Sequence, residues 1–227
     1  MSLSDRRGVL GGLAAVPLLP VLACARGADE AAAAAPGSLI AGTTCPVTPR
    51  QTEGPFYFDP KLVRRDVREG RPGLPLRLRL QVVGAAACVP VAGARVDIWH
   101  CDPAGAYSGY ESEGSGGETW LRGTQLADSN GVVLFETVYP GWYPGRATHI
   151  HCKAWLPEGK GEITSQLYFP DDLSDAVYRE PPYSDRRGQR LRNDDDGIFR
   201  QSGREAPLAE AKRGAAGLDA ALVLALR

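Results

Sequence analysis

"LPLRLRLQVV", Leu74–Val83, alternates apolar and polar residues: Leu76, Leu78, Leu80 and Val82 against Arg77, Arg79 and Gln81. Successive side chains of a strand point to opposite faces. Period two therefore marks a strand with one face on a core and the other toward water. The same pattern recurs in "ARVDIWHC" (94–101), where Val96, Ile98 and His100 share a face and Asp97 and Trp99 take the other. "SNG" at Ser129–Gly131 is a turn signal ahead of the strand "VVLFETV". "HIHCKAWL" (149–156) and "EITSQLYF" (162–169) flank the turn "PEGKG" and read as a hairpin. "DAALVLAL" (219–226) is a closing strand. Short strands separated by turns predict an all-β fold, an antiparallel β-sandwich with long active-site loops and little helix.

Composition agrees. The chain has 227 residues, with 27 Gly and 18 Pro marking many turns rather than a helical bundle. A net charge of −1 excludes nucleic acid as the main partner. The loops 102–118 and 139–148 are long and rich in Gly and Tyr, a pattern common in functional loops. The segment "DDLSDAVYREPPYSDRRGQRLRNDDDGIF" (171–199) reads as a polar surface wrap.

Residues 1–25 read as an export signal. Arg6 and Arg7 precede an apolar run, Gly8–Leu22, that is too short to span a bilayer comfortably. The arginine pair resembles a twin-arginine signal. Ala23-Cys24-Ala25 fits an A-x-A cleavage site, whereas Val21-Leu22-Ala23-Cys24 resembles a lipobox; the second is preferred, with Cys24 as a lipid anchor. Residues 26–42 are then a flexible Ala-rich tether and 43–227 the folded domain. The expected location is periplasmic or at the cell surface. In an oxidising compartment the four remaining cysteines read as disulfide candidates, with Cys45–Cys88 preferred. Cys101 and Cys152 are either a second bridge or two free buried thiols.

Chemistry concentrates in "PGWYPGRATHIHCKAWL" (140–156). On a strand His149 and His151 point to one side, close enough to chelate one metal ion. Tyr107 and Tyr110 in "GAYSGY" and Tyr143 in "GWYPG" are candidate further ligands, and His100 is either a third imidazole ligand or a structural histidine. A phenol with a pKa near 10 needs a hard, highly charged ion to bind as phenolate. Two phenolates and two imidazoles favour Fe(III) over Fe(II) or zinc.

From about Thr48 onward the chain resembles the intradiol ring-cleavage dioxygenases. The resemblance rests on "TPRQTEGPFYFDP", "GARVDIWHCDPAGAYSGY", "WLRGTQLADSNGVVLFETVYPGWYPGRATHIHCK" and "TSQLYFPDD", in that order. It is strongest to exported single-domain members, without the helical N-terminal domain of cytosolic ones. It implies an Fe(III) cofactor held by Tyr107, Tyr143, His149 and His151, with Tyr107 and His149 equatorial and Tyr143 and His151 axial. It also implies three active-site roles: Tyr143 as ligand and internal base, Arg146 against negative charge building on the substrate ring, and Gln166 as an orienting group beside the iron. Tyr57 is placed in the substrate pocket, while Tyr110 and His100 stay outside the metal shell. The implied reaction cleaves a catechol-type diol with O2 to a cis,cis-muconate-type diacid. Lys153 and Arg122 are the basic residues considered for a carboxylate-bearing substrate. Two other readings stand beside this one. One is an exported non-catalytic β-sandwich module binding aromatic ligands or a partner protein. The other is a colourless zinc hydrolase using His149 and His151.

Overall fold

The computed structural model describes Leu39 and residues 45–227. The export signal, the tether apart from Leu39, and Cys24 lie outside the described residues. The first strand, β1 (Pro75–Gly84), is the alternating stretch, and Leu76, Leu78, Leu80 and Val82 are all buried against the opposite sheet. There follow β2 (Val89–Pro90), β3 (Arg95–Trp99), β4 (Arg122–Leu126), β5 (Val132–Val138), β6 (His149–Trp155), β7 (Glu162–Tyr168), α1 (Asp171–Val177), α2 (Gly197–Ser202), β8 (Glu210–Gly214) and β9 (Gly217–Leu226). One sheet runs β2-β1-β9-β8, with β5 also paired to β1; the other runs β4-β3-β6-β7. Their inner faces meet in one apolar core that includes Leu78, Leu80, Val96, Ile98, Phe135, Ile150, Leu167 and Leu224. Each such side chain taken fully out of water contributes about 1.5–3 kcal/mol.

The predicted strands form, and the sandwich is the observed architecture. One ladder departs from an antiparallel sandwich: β9 runs parallel to β1, with Leu76 opposite Leu218 and Leu80 opposite Leu222. The turn before β5 is built as its residues predict. Asp128 Oδ1 accepts from the Asn130 and Val132 amides, and Gly131 takes φ +72°, where a Cβ would strike the Val82 carbonyl at 2.4 Å. The β6–β7 hairpin forms around a short 3-10 turn, Pro157–Gly159, and its register sets His151 opposite Gln166.

Cys45 and Cys88 are disulfide-bonded, as preferred from the sequence. Cys101 and Cys152 are free buried thiols. Cys152 points into the inter-sheet core, whereas Cys101 lies past the end of β3 with Trp99 and Tyr107. The segment 171–199 is mostly exposed or half-buried, as a surface wrap would be, yet a few of its residues turn inward. That segment carries α1 and α2 and buries Asn193 and Asp196. Asn193 Nδ2 donates to the Phe169 carbonyl, and Asp196 is held inside by an arginine and by amides, so both polar groups are satisfied in the interior. Among the described residues no helix is long and apolar enough to cross a membrane.

Candidate metal centre

The register of the second sheet aligns four side chains in one row on its outer face. Trp99 on β3 stands opposite Arg122 on β4 and His151 on β6, and His151 stands opposite Gln166 on β7. His149 lies one pair further along, opposite Tyr168. The loop after β3 brings in Tyr107, and the loop 139–148 brings in Tyr143 and Arg146.

Four donor atoms converge here. Tyr107 Oη lies 3.4 Å from Tyr143 Oη, Tyr143 Oη 3.0 Å from His149 Nε2, and His149 Nε2 3.1 Å from His151 Nε2. Donors bonded to one ion at about 2.1 Å stand about 3.0–3.4 Å apart for bond angles of about 90–110°. The three observed spacings match those of neighbouring ligands of one ion. Donor chemistry agrees. His149 Nδ1–H donates to the Ala147 carbonyl at 2.7 Å, which leaves the Nε2 lone pair facing the cluster. Burial lowers the His149 pKa to about 3 and holds His151 well below the usual imidazole range. Both rings are therefore neutral, as metal ligation requires. Burial raises both phenols, Tyr107 most, with Tyr143 as its next cause. Only a strongly polarising cation would ionise them.

The rings of these four residues are held by packing as well as by bonds. Trp99 stacks on His151 at 4.9 Å and 9°, and Gly54 lies against the same imidazole, where a Cβ would come within 3.4 Å of Cε1. Among the described residues His151 Nδ1 is buried without a hydrogen-bond partner. Phe56 stacks on Tyr107 at 4.3 Å. Arg122 fixes the backbone next to Tyr107: Nε donates to Ser108 Oγ, Nη2 to the Ser108 carbonyl and Nη1 to the Phe56 carbonyl. Burial lowers the Arg122 pKa to about 10.

Arg146 is gripped on several sides. Nε donates to Asp196 Oδ2 at 2.9 Å, Nη2 to Gln166 Oε1 and to Tyr168 Oη at 3.2 Å, and Nη1 faces His149 Nε2 at 3.3 Å. Burial alone would depress its pKa. Tyr143 and Asp196 outweigh that effect and keep it charged. Burial likewise opposes ionisation of Asp196, but the Ala147 amide and Arg146 pull its carboxyl below the usual range.

The structure thus brings together Tyr107, Tyr143, Arg146, His149, His151 and Gln166, all singled out in the sequence. Other candidates stand apart. His100 is fully buried between the sheets; its Nδ1–H donates to the Cys101 carbonyl and its Nε2 accepts from Thr137 Oγ1. Tyr110 rests on Phe56 and donates to the Tyr57 carbonyl. Tyr57 packs on Trp99 and turns its hydroxyl to Asp97, so only its ring faces the site's aromatic wall. Lys153 is paired with Glu53 at 2.9 Å, and Arg122 is committed to backbone carbonyls, so neither candidate for a substrate carboxylate is unengaged. Sequence reading missed Asp196 and Tyr168. Asp196 sits in the run "NDDDG" and looks like a solvated charge. Its signal was the Asp-Gly-Ile-Phe order of a helix N-cap.

A model of the family Dioxygenase_C, described as dioxygenase, matches residues 52–178, more than half of the chain. The chain belongs to the intradiol ring-cleavage dioxygenases. Members of this family use non-haem iron. An intradiol ring-cleavage dioxygenase structure from Tetranychus urticae is 31% identical, with a TM-score of 0.74, covering 80% of this chain and 94% of that one. The dioxygenase domain of a dioxygenase–carbohydrate-binding fusion from Streptomyces sp. SirexAA-E is 30% identical, with a TM-score of 0.61, covering 80% of this chain and all of that one. Catechol 1,2-dioxygenase 1 of Acinetobacter lwoffii is 33% identical over 172 residues, which is 62% of this chain and 55% of that protein. Catechol 1,2-dioxygenase of Candida albicans is 31% identical over 39% of this chain and 36% of its own length. The matched stretch therefore spans between about a third and somewhat over half of these curated relatives.

Proposed function

We propose that this chain is an Fe(III) intradiol dioxygenase that opens a catechol-type ring with O2, both oxygen atoms entering a cis,cis-muconate-type diacid. The unbroken run of close contacts from the Tyr107 phenol through Tyr143 and His149 to His151 carries the reading. Tyr107, Tyr143, His149 and His151 would hold the ion. Ferric iron held there would supply the charge needed to ionise the phenols and a bound catechol and to make the ring reactive toward O2.

The chain's own residues divide the remaining work. Tyr143 is only partly buried, and Pro144 and Gly145 beside it are exposed, whereas Tyr107 is fully buried under Phe56. Tyr143 is accordingly the phenol free to swing away and accept a catechol proton on Oη. Tyr107 stays in place. Arg146 keeps its proton and presents Nη1 to the donor cluster, where negative charge develops on the ring. Gln166 accepts from Arg146 and donates through Nε2 to the Thr52 carbonyl at 2.9 Å, fixing the arginine to the loop over His151. Phe56, Trp99 and the Tyr57 ring wall the site with aromatic surface that excludes water.

A zinc hydrolase built on His149 and His151 would want a further His, Cys or carboxylate ligand. Among the described residues no three such side chains are grouped to hold an ion. Export of the chain through residues 1–25, with lipid on Cys24, is part of this proposal; the Cys45–Cys88 disulfide supports an oxidising destination. The deciding test is a visible spectrum of the iron-loaded protein, then anaerobic catechol, then air. A tyrosinate charge-transfer band that shifts with catechol and decays in air to an ultraviolet-absorbing diacid is the expected result. A chain that stays colourless after iron loading would instead leave the binding module as the function.

A further inference from the structure

We infer that Asp196 is the positioning residue for Arg146, and that the α2 segment exists at this point of the fold to aim that guanidinium at the metal centre. The inference rests on the role proposed for Arg146 above. Asp196 is completely buried and uses both carboxylate oxygens. Oδ1 caps α2 by accepting from the Ile198 and Phe199 amides at 2.8 and 3.3 Å. Oδ2 accepts from Arg146 Nε and from the Ala147 amide, each at 2.9 Å. One carboxylate therefore fixes the side chain of residue 146 and the backbone of residue 147, which lies two positions before His149.

A second support comes from the same helix. Phe199 packs edge-on against Tyr168 at 4.9 Å. The Tyr168 hydroxyl both accepts from Arg146 Nη2 and donates to Gln166 Oε1. With Nε on Asp196 and Nη2 on Gln166 and Tyr168, the planar guanidinium has two of its three corners tied. The remaining corner, Nη1, faces His149 Nε2. A guanidinium bound at only one corner can rotate about its long side chain, and its charge would then not be fixed where the ring charge develops. Fixed geometry is what makes such a charge effective, and a misplacement of about 1 Å can cost on the order of 100-fold in rate.

The test uses full-length protein and Asp196→Asn, which keeps an oxygen for the α2 cap but replaces the acceptor facing Arg146 with a donor. Asp196→Ser, which can still cap but is too short to reach Arg146, is the second variant. In the iron-free protein the Arg146 Nε–H should give a resolved, exchange-protected 15N–1H resonance, and both variants should lose that protection while keeping the backbone amide spectrum. After iron loading, kcat for catechol should fall on the order of 10- to 100-fold with KM little changed. The Asp196→Asn, Arg146→Ala double variant should be no slower than Arg146→Ala alone. Retained Nε–H protection in folded variants, or effects of the two substitutions that simply multiply, would overturn the assignment. If the wild-type protein turns over no catechol, the function proposed above fails, and the Nε–H measurement still decides whether Asp196 positions Arg146.

Discussion

In the sheet built on β1, the outer face carries Arg77 into solvent and leaves Arg79 half-exposed. In the sheet built on β3 and β6, the corresponding outer face carries Trp99, Arg122, His151 and Gln166, each no more than 2% exposed. Both sheets donate their inner faces to the same core. The difference is what covers the second face. The loops 102–118 and 139–148, the chain around Thr52–Tyr57 and the α2 segment all fold over the β3–β6 sheet. A sheet with one face in water has a face to spare for solubility. A sheet buried on both faces can hold neutral imidazoles and a buried guanidinium in fixed relation, which is what a metal centre needs.

The sharpest break in that comparison is expected from His151→Ala. Loss of one of four converging donors should abolish the iron colour and turnover while leaving a folded protein, read by visible and circular dichroism spectra. Arg146→Ala, which keeps all four donors, should retain the colour and lower kcat by about 10²–10³-fold, the usual cost of removing a group that stabilises developing charge. Leu78→Ala on the shared inner face should do the reverse, costing about 2–5 kcal/mol in urea unfolding with the surviving activity per folded molecule unchanged.

Proton linkage gives a further separation. His100 is held near a pKa of about 4 by burial, below its unfolded value near 6.5. Below pH 6.5 the unfolded chain binds a proton that the native chain refuses. Stability is therefore full above about pH 6.5 and declines as pH falls toward about 4, by about 3 kcal/mol for this group alone. A urea midpoint that does not fall between pH 7 and 4.5 in iron-free protein would contradict a neutral buried His100. The smallest effect belongs to the solvent-facing side of the β1 sheet. Arg77 and Asp219 lie 3.6 Å apart with both side chains 60% exposed, so Arg77→Ala should shift stability by no more than about 0.5 kcal/mol.

The same contrast explains what the sequence made legible. β1 is wet on one face at Arg77 and Arg79, so its alternation was plain, although Gln81 further along that face is buried. β4, "RGTQL", has Gly123 on one face and buries Arg122 and Thr124 on the other, so no alternation marked it. β8, "EAKRG", is an exposed edge and resembled a polar loop. His149 and His151 were readable because i and i+2 share a face whatever covers it. Choosing Tyr107 and Tyr143 over Tyr110 took the family resemblance, since loop residues carry no period. Asp196 was hidden because its partner, Arg146, is distant in sequence, and an acidic run gives no sign that one member turns inward.

The parallel ladder between β1 and β9 also sets the order in which the molecule can be made. β1 is the middle of its sheet, yet one of its three partner strands, β9, lies more than 130 residues further along the chain. Closing that distance costs chain entropy before any contact rewards it, and such pairings form late. On the ribosome β1 must wait, with one edge bare, until β9 has been synthesised. A chain cut short before Gly217 would keep every residue of the proposed metal centre and still lack the strand that completes the β1 sheet. The final strand is thus a checkpoint on manufacture: the centre gains a finished scaffold only in molecules translated through β9.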